Sequence, residues 1–197
     1  MAQNITQLRR LVFRKKTTSG WTVFTMEPDD LGQDSILTVN VAPRKRSRAS
    51  SKGSTESPIS GTFDSLTASI SFLADTWKII GTALNRWSAS TDGGQILFGS
   101  DEDACDNSYL SVVAQGVCDD GSSADVEITR CQPSIDDDIE IGTSETPTIT
   151  LNLNPIIYNA SLHADDGYEA YTVRFGDYDI SASKHLNATT GEYDAKS

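Results

Sequence analysis

A chain of 197 residues of which 37% are hydrophobic can bury one sizeable core, but it leaves much of its length for loops or arms. Its net charge of -12 argues against nucleic acid as a bound ligand, because holding phosphate requires a basic surface, and no run of about 18 apolar residues is present to span a membrane. Three cysteines make no disulfide framework, and the spacing of Cys105, Cys118 and Cys131 is not that of zinc ligands, while the first ten residues lack the apolar stretch of a secretory signal, so the chain is expected to stay in the cytoplasm that makes it.

Along the chain, residues 7–24 mix basic and apolar side chains around a Ser19-Gly20 turn signal, which reads as two short strands or as an N-terminal arm over about residues 1–20. A turn follows at Glu27 to Gly32. Residues 36–41, ILTVNV, alternate with a period of two and are rich in β-branched side chains, so they form a strand that Pro43 ends. The next stretch, residues 44–58, contains Arg44, Lys45, Arg46, Arg48 and Lys52 among Ser and Gly. It lacks a large apolar residue until Ile59, so it is expected to be a long polar loop. Alternation resumes from Ile59 to Leu73, which makes the two flanking strands one hairpin with an oversized tip.

Asp75 to Trp87 is the one expected helix, since Trp77, Ile80, Leu84 and Trp87 recur at three- and four-residue steps and Asp75 or Thr76 can cap its start. That apolar stripe is expected to cover a sheet face. Strands are then expected at residues 96–98, 109–117, 124–131, 148–154 and 171–175, separated by Asp- and Gly-rich turns. Residues 184–197 are small and polar and read as a terminal tail. The whole is one mostly β domain with appendages.

Charge is divided along the sequence. Residues 1–52 carry ten Lys and Arg against four acids, a net of +6, and the remainder, with six against 24, is at -18. Such polarity suits head-to-tail complementarity between copies of one molecule.

No pattern for catalysis stands out, and the chain is expected not to be an enzyme. The two histidines, His163 and His185, lie in polar stretches, read as surface positions, and belong to no triad or metal-binding frame. Asp101, Glu102, Asp103 and Asp106, and then Asp136, Asp137, Asp138 and Glu140, read as solvated acidic turns because the glycine and glutamate of an EF-hand loop are missing. Phosphate-cradling glycine motifs and nucleophile elbows are absent, so no cofactor is expected.

The order of these elements, with a hairpin of very long polar tip followed by strands and one amphipathic helix, resembles the tail tube proteins of long-tailed bacteriophages. That resemblance implies a β-sandwich or partial barrel with one flanking helix, whose sheets join between six copies into a ring around an acidic lumen. It implies that Arg44, Lys45, Arg46, Arg48 and Lys52 touch the next ring. The partners implied are further copies, a tape-measure protein, and tail-terminator or tip proteins. DNA would pass without specific binding, and the protein would end in the virion tail. An additional C-terminal immunoglobulin-like domain, present in some members, is not expected here. From another class, Trp21, Trp77 and Trp87 would serve a β-sandwich module that recognises carbohydrate or a protein partner.

Overall fold

Strand-forming sequence dominates the computed structural model, which describes residues 5–27, 31, 35–50, 53–73, 77–84, 86–90, 93–96, 109–118, 123–135, 148–177 and 189–191. In chain order the elements are β1 (Ile5–Thr17), β2 (Gly20–Met26), β3 (Ile36–Ser50), β4 (Gly53–Leu73), α1 (Trp77–Ala83), β5 (Trp87–Ser90) and β6 (Gly93–Ile96), followed by β7 (Leu110–Cys118), β8 (Ser123–Cys131), β9 (Ser134–Ile135), β10 (Thr148–Asn152), α2 (Ala160–His163) and β11 (Val173–Asp177). They form a five-stranded sheet in the order β11-β8-β7-β1-β2, a four-stranded sheet in the order β3-β4-β10-β9, and the small hairpin β5-β6. Every pairing is antiparallel. Neither larger sheet closes into a barrel among the described residues.

One apolar core lies between the two larger sheets. Alternation places Leu11 and Phe13 of β1, Leu110 and Val112 of β7 and Ile128 of β8 on one wall, with Ala68 and Ile70 of β4 and Ile149 and Leu151 of β10 on the other. Each large side chain fully withdrawn from water contributes about 1.5–3 kcal/mol, which is why the strands with the cleanest alternation anchor the fold. Against the same core α1 sets Ile79, Ile80, Ala83 and Leu84.

A bulge in β8 makes a further division possible. Leu110 faces Cys131 while Val112 faces Ile128, so Thr129 and Arg130 together stand opposite Ser111. The extra residue sends Arg130 to the far side of the sheet and returns Cys131 to the core, where its thiol donates to the Leu110 carbonyl oxygen at 3.1 Å and burial pushes its pKa up.

Three expectations are corrected. The supposed N-terminal arm is β1, paired with β2 on one side and β7 on the other and holding Leu11, Val12 and Phe13 at 1% exposure or less. A stretch half basic and half apolar reads as an arm only if the charges are solvated, and Arg14 is buried. The polar loop at 44–58 is strand: β3 and β4 stay paired out to Ser50 opposite Gly53. Its composition cannot fill a core, yet a ribbon growing from an apolar base needs only its backbone hydrogen bonds. The helix is also shorter than expected: it is Trp77–Ala83, and Trp87 belongs to β5. Of the polar tail, residues 189–191 are described and Gly191 is buried in the body.

Candidate assembly surfaces and the buried polar face

The first candidate surface is the outer part of the β3–β4 hairpin. β10 accompanies β4 from Leu73 to Ser69, beyond which β3 and β4 run on together, with two register irregularities at Pro43. From Lys45 opposite Pro58 to Ser50 opposite Gly53 the two strands pair with each other. At about 3.3 Å per residue, residues 43–50 extend roughly 25 Å. Arg44, Lys45 and Arg46 are exposed, Arg48 sits in β3 opposite Thr55, and Lys52 lies outside the described residues. Three of the five residues expected to meet a neighbour are therefore set in a row on one solvated strand.

Open strand edges form the second candidate surface. The outer edge of β3 has no partner strand among the described residues, and the opposite edge of that sheet is the two-residue β9. Ile36, 61% exposed, and Val41 lie along β3. In the five-stranded sheet the edges are β2 and β11, and Phe175 on β11 is 61% exposed. Unpaired edges with apolar side chains invite another chain to add to the sheet.

The outer face of the four-stranded sheet is polar but carries no charge. Register puts Thr38 of β3, Ser69 of β4, Asn152 of β10 and Ser134 of β9 in one row across all four strands, and Asn40 beside Thr67. The Ser71 and Thr150 hydroxyls stand 3.1 Å apart in the adjoining row.

The far face of the five-stranded sheet is also polar, yet it is sealed. Arg14, Ser111, Gln115, Asp125, Glu127, Thr129 and Arg130 are all at 1% exposure or less. The Arg14 guanidinium donates to a Glu127 carboxylate oxygen, to the Ser111 hydroxyl at 3.0 Å and to the Gly191 carbonyl oxygen at 2.8 Å. Glu127 also accepts from the Tyr171 hydroxyl at 2.7 Å, and Arg174 reaches Asp125 at 2.7 Å. Burial first, and then the Glu127 charge, pushes the Tyr171 phenol up. The bulged Arg130 holds both oxygens of Asp166, at 2.6 and 2.9 Å, and the Glu169 carbonyl oxygen. Partial desolvation would raise the Asp166 carboxyl, but the Arg130 hydrogen bonds and the Tyr168 amide outweigh it and hold the pKa below the usual carboxylate value.

Two of the described segments lie over this face. Residues 155–172 wrap over Arg130, with α2 capped by Asn159, and His163 is buried there, its Nδ1 accepting from the Asn159 amide and its ring edge-on to Tyr109. His163 is therefore not the surface residue its polar neighbours suggested. At the other end Gly191, at a φ of 72°, lies against Trp21 and Val23, so close that a Cβ would stand 2.7 Å from the Val23 methyl.

The expected helix face is split. Ile80 and Leu84 are buried, whereas Trp77 is 52% exposed and points away from the core, and Ile79 and Ala83 take its place. The Arg14 guanidinium and the Lys16 ammonium lie 4.4 and 4.6 Å from the centroid of the Trp21 ring, with Tyr168 edge-on, while Trp77 is on α1 and Trp87 on β5. A cavity of about 300 Å³ between β1–β2 and α1 is lined by Phe13, Lys15, Phe24, Lys78 and Thr82, without acid, histidine or cysteine. Among the described residues no three His, Cys, Asp or Glu side chains converge as metal ligands, and no helix is long and apolar enough to cross a membrane. The acidic clusters at 101–106 and 136–140, and His185, lie outside the described residues.

No family of known proteins matches the chain, and no curated protein does. Among solved structures it is similar to a chain of the anti-feeding prophage (AFP) baseplate, determined by cryo-EM and 6-fold symmetrised. That likeness has a TM-score of 0.45 at 10% identity, and it covers 89% of this chain and 97% of that one.

Proposed function

We propose that this chain is a non-enzymatic structural subunit of a tail tube of the long-tailed phage type, polymerising as stacked hexameric rings around a lumen that DNA crosses during infection. The observation that carries the proposal is the β3–β4 ribbon: a basic hairpin extending roughly 25 Å from a sheet whose own edge strand is open. With Arg44, Lys45, Arg46, Ser47 and Ala49 exposed, such a ribbon adds little to the apolar core of its own subunit, and it costs conformational entropy to order. It is accounted for if it docks on a neighbour, and the acid-rich remainder of a second copy, at -18, is a complementary surface. The β3 edge of one copy meeting the β9 edge of the next gives a head-to-tail contact. Repeated, it closes into a ring and leaves neither edge of the four-stranded sheet unpaired.

Tape-measure and terminator or tip proteins are the further partners this role requires. Electron microscopy of the purified protein tests it. Tubes or stacked rings are the expected result, and a particle that stays small at high concentration refutes it.

A further inference from the structure

We infer that the wall of the lumen is the outer face of the four-stranded sheet, and that it lets duplex DNA pass by being uncharged and hydroxylated rather than acidic. The inference rests on the tube reading above and specifies the surface that faces the nucleic acid.

Elimination selects the sheet. Two packed sheets have four faces, of which two meet in the core. A third, the far face of the five-stranded sheet, is sealed, with Arg14, Glu127 and Arg130 at 1% exposure or less. Among the described residues the outer face of the four-stranded sheet is the one left open to water, with Thr38, Asn40 and Thr67 exposed.

Composition gives that face its character. Residues 36–42, 65–73, 134–135 and 148–152 contain no Asp, Glu, Lys or Arg at all, in a chain with 44 such residues out of 197. The row Thr38, Ser69, Asn152 and Ser134 runs unbroken across the sheet. A basic wall would hold phosphates by releasing their counterions, and an acidic one would oppose entry into a narrow space. Hydroxyl and amide groups exchange hydrogen bonds with water at little net gain, so a hydrated polyanion slides past them. Among the described residues the face also lacks an aromatic side chain on which a base or a sugar ring could stack, and it is too polar to be covered by an apolar partner. Ile36, the exception, sits on the open edge strand, where the neighbouring copy covers it. The chain's excess acid then belongs to its other surfaces.

Cysteine accessibility tests this in assembled tubes, with Thr38→Cys and Thr67→Cys compared before and after assembly and the parent protein giving the background from its own cysteines. Labelling by a bulky polymer-linked maleimide is expected to be lost on assembly, while labelling by N-ethylmaleimide persists. Tubes whose new thiols still take the bulky reagent place this face outside, and tubes whose thiols take neither reagent place it in a contact; each overturns the inference and leaves the tube standing. Failure to form tubes overturns the tube reading itself, and the inference with it. A second variant, Thr38→Lys with Thr67→Lys, is expected to make tubes retain a duplex oligonucleotide, with binding that falls on added salt at a slope of about -0.9 per phosphate neutralised. Absence of retention in tubes of that variant also overturns it.

Discussion

Arg14 and Glu127 meet at the centre of a buried polar face, and neither has a solvated alternative. Removing one partner takes the nearest counter-charge from the other, although Glu127 keeps the Tyr171 hydroxyl and Arg174 at 3.4 Å and Arg14 keeps Ser111 and the Gly191 carbonyl oxygen; such a loss costs about 3–5 kcal/mol in a buried pair, whereas replacing both with apolar groups is often close to neutral. Arg14→Leu and Glu127→Leu are therefore each expected to lower the urea midpoint sharply, and the double variant to recover part of the loss. A cycle in which the two losses simply add would show that the pair is not coupled. Part of this was beyond the reach of sequence reading. Arg14 sits among Arg9, Arg10, Lys15 and Lys16, and nothing local distinguishes the one residue in the cluster that faces a glutamate 113 positions away. His163 was missed for a similar reason: its polar neighbours are the cover of a buried face rather than a surface loop. Gly191 was legible only as a small residue in a polar tail, because its φ of 72° and its contact with Trp21 are tertiary facts.

At the scale of elements, strands with a clean period of two were readable because one face of each is core: residues 36–41, 109–117, 124–131 and 148–154 fall on β3, β7, β8 and β10. The helix was found but overextended, since Trp87 keeps a helical spacing although the chain has already turned into β5. The outer hairpin escaped a composition argument altogether, because residues 44–58 contain no large apolar side chain from which to take a pattern. This same property makes it separable from the body. Deleting residues 45–56 removes paired backbone but no buried apolar side chain, so the thermal midpoint of the unassembled subunit is expected to change little. Stacking is where the loss is expected: rings without long tubes by electron microscopy. Long tubes formed as readily without the ribbon would show that it does not join rings.

For the molecule as a whole, the division between a basic first quarter and an acidic remainder is narrower in the fold than in the sequence. Arg14 is consumed internally by Glu127, and Arg10 bridges to Glu27 at 3.1 Å. Arg44, Lys45 and Arg46 follow one another, exposed, on the ribbon, which makes it a concentrated positive surface for attraction between copies. Contacts between solvated charges are screened beyond about 10 Å at 0.1 M salt and about 3 Å at 1 M, while pairing of strand edges and burial of Ile36 or Phe175 are not weakened in that way. Raising the salt is therefore expected to shorten tubes into rings before it separates rings into subunits. The triple variant Arg44→Glu, Lys45→Glu, Arg46→Glu is expected to give rings that fail to stack even at low salt. Analytical ultracentrifugation across a salt series checks both outcomes. Tube length that is indifferent to salt and to charge reversal would mean that the ribbon docks by shape and backbone pairing, with its charges left in water.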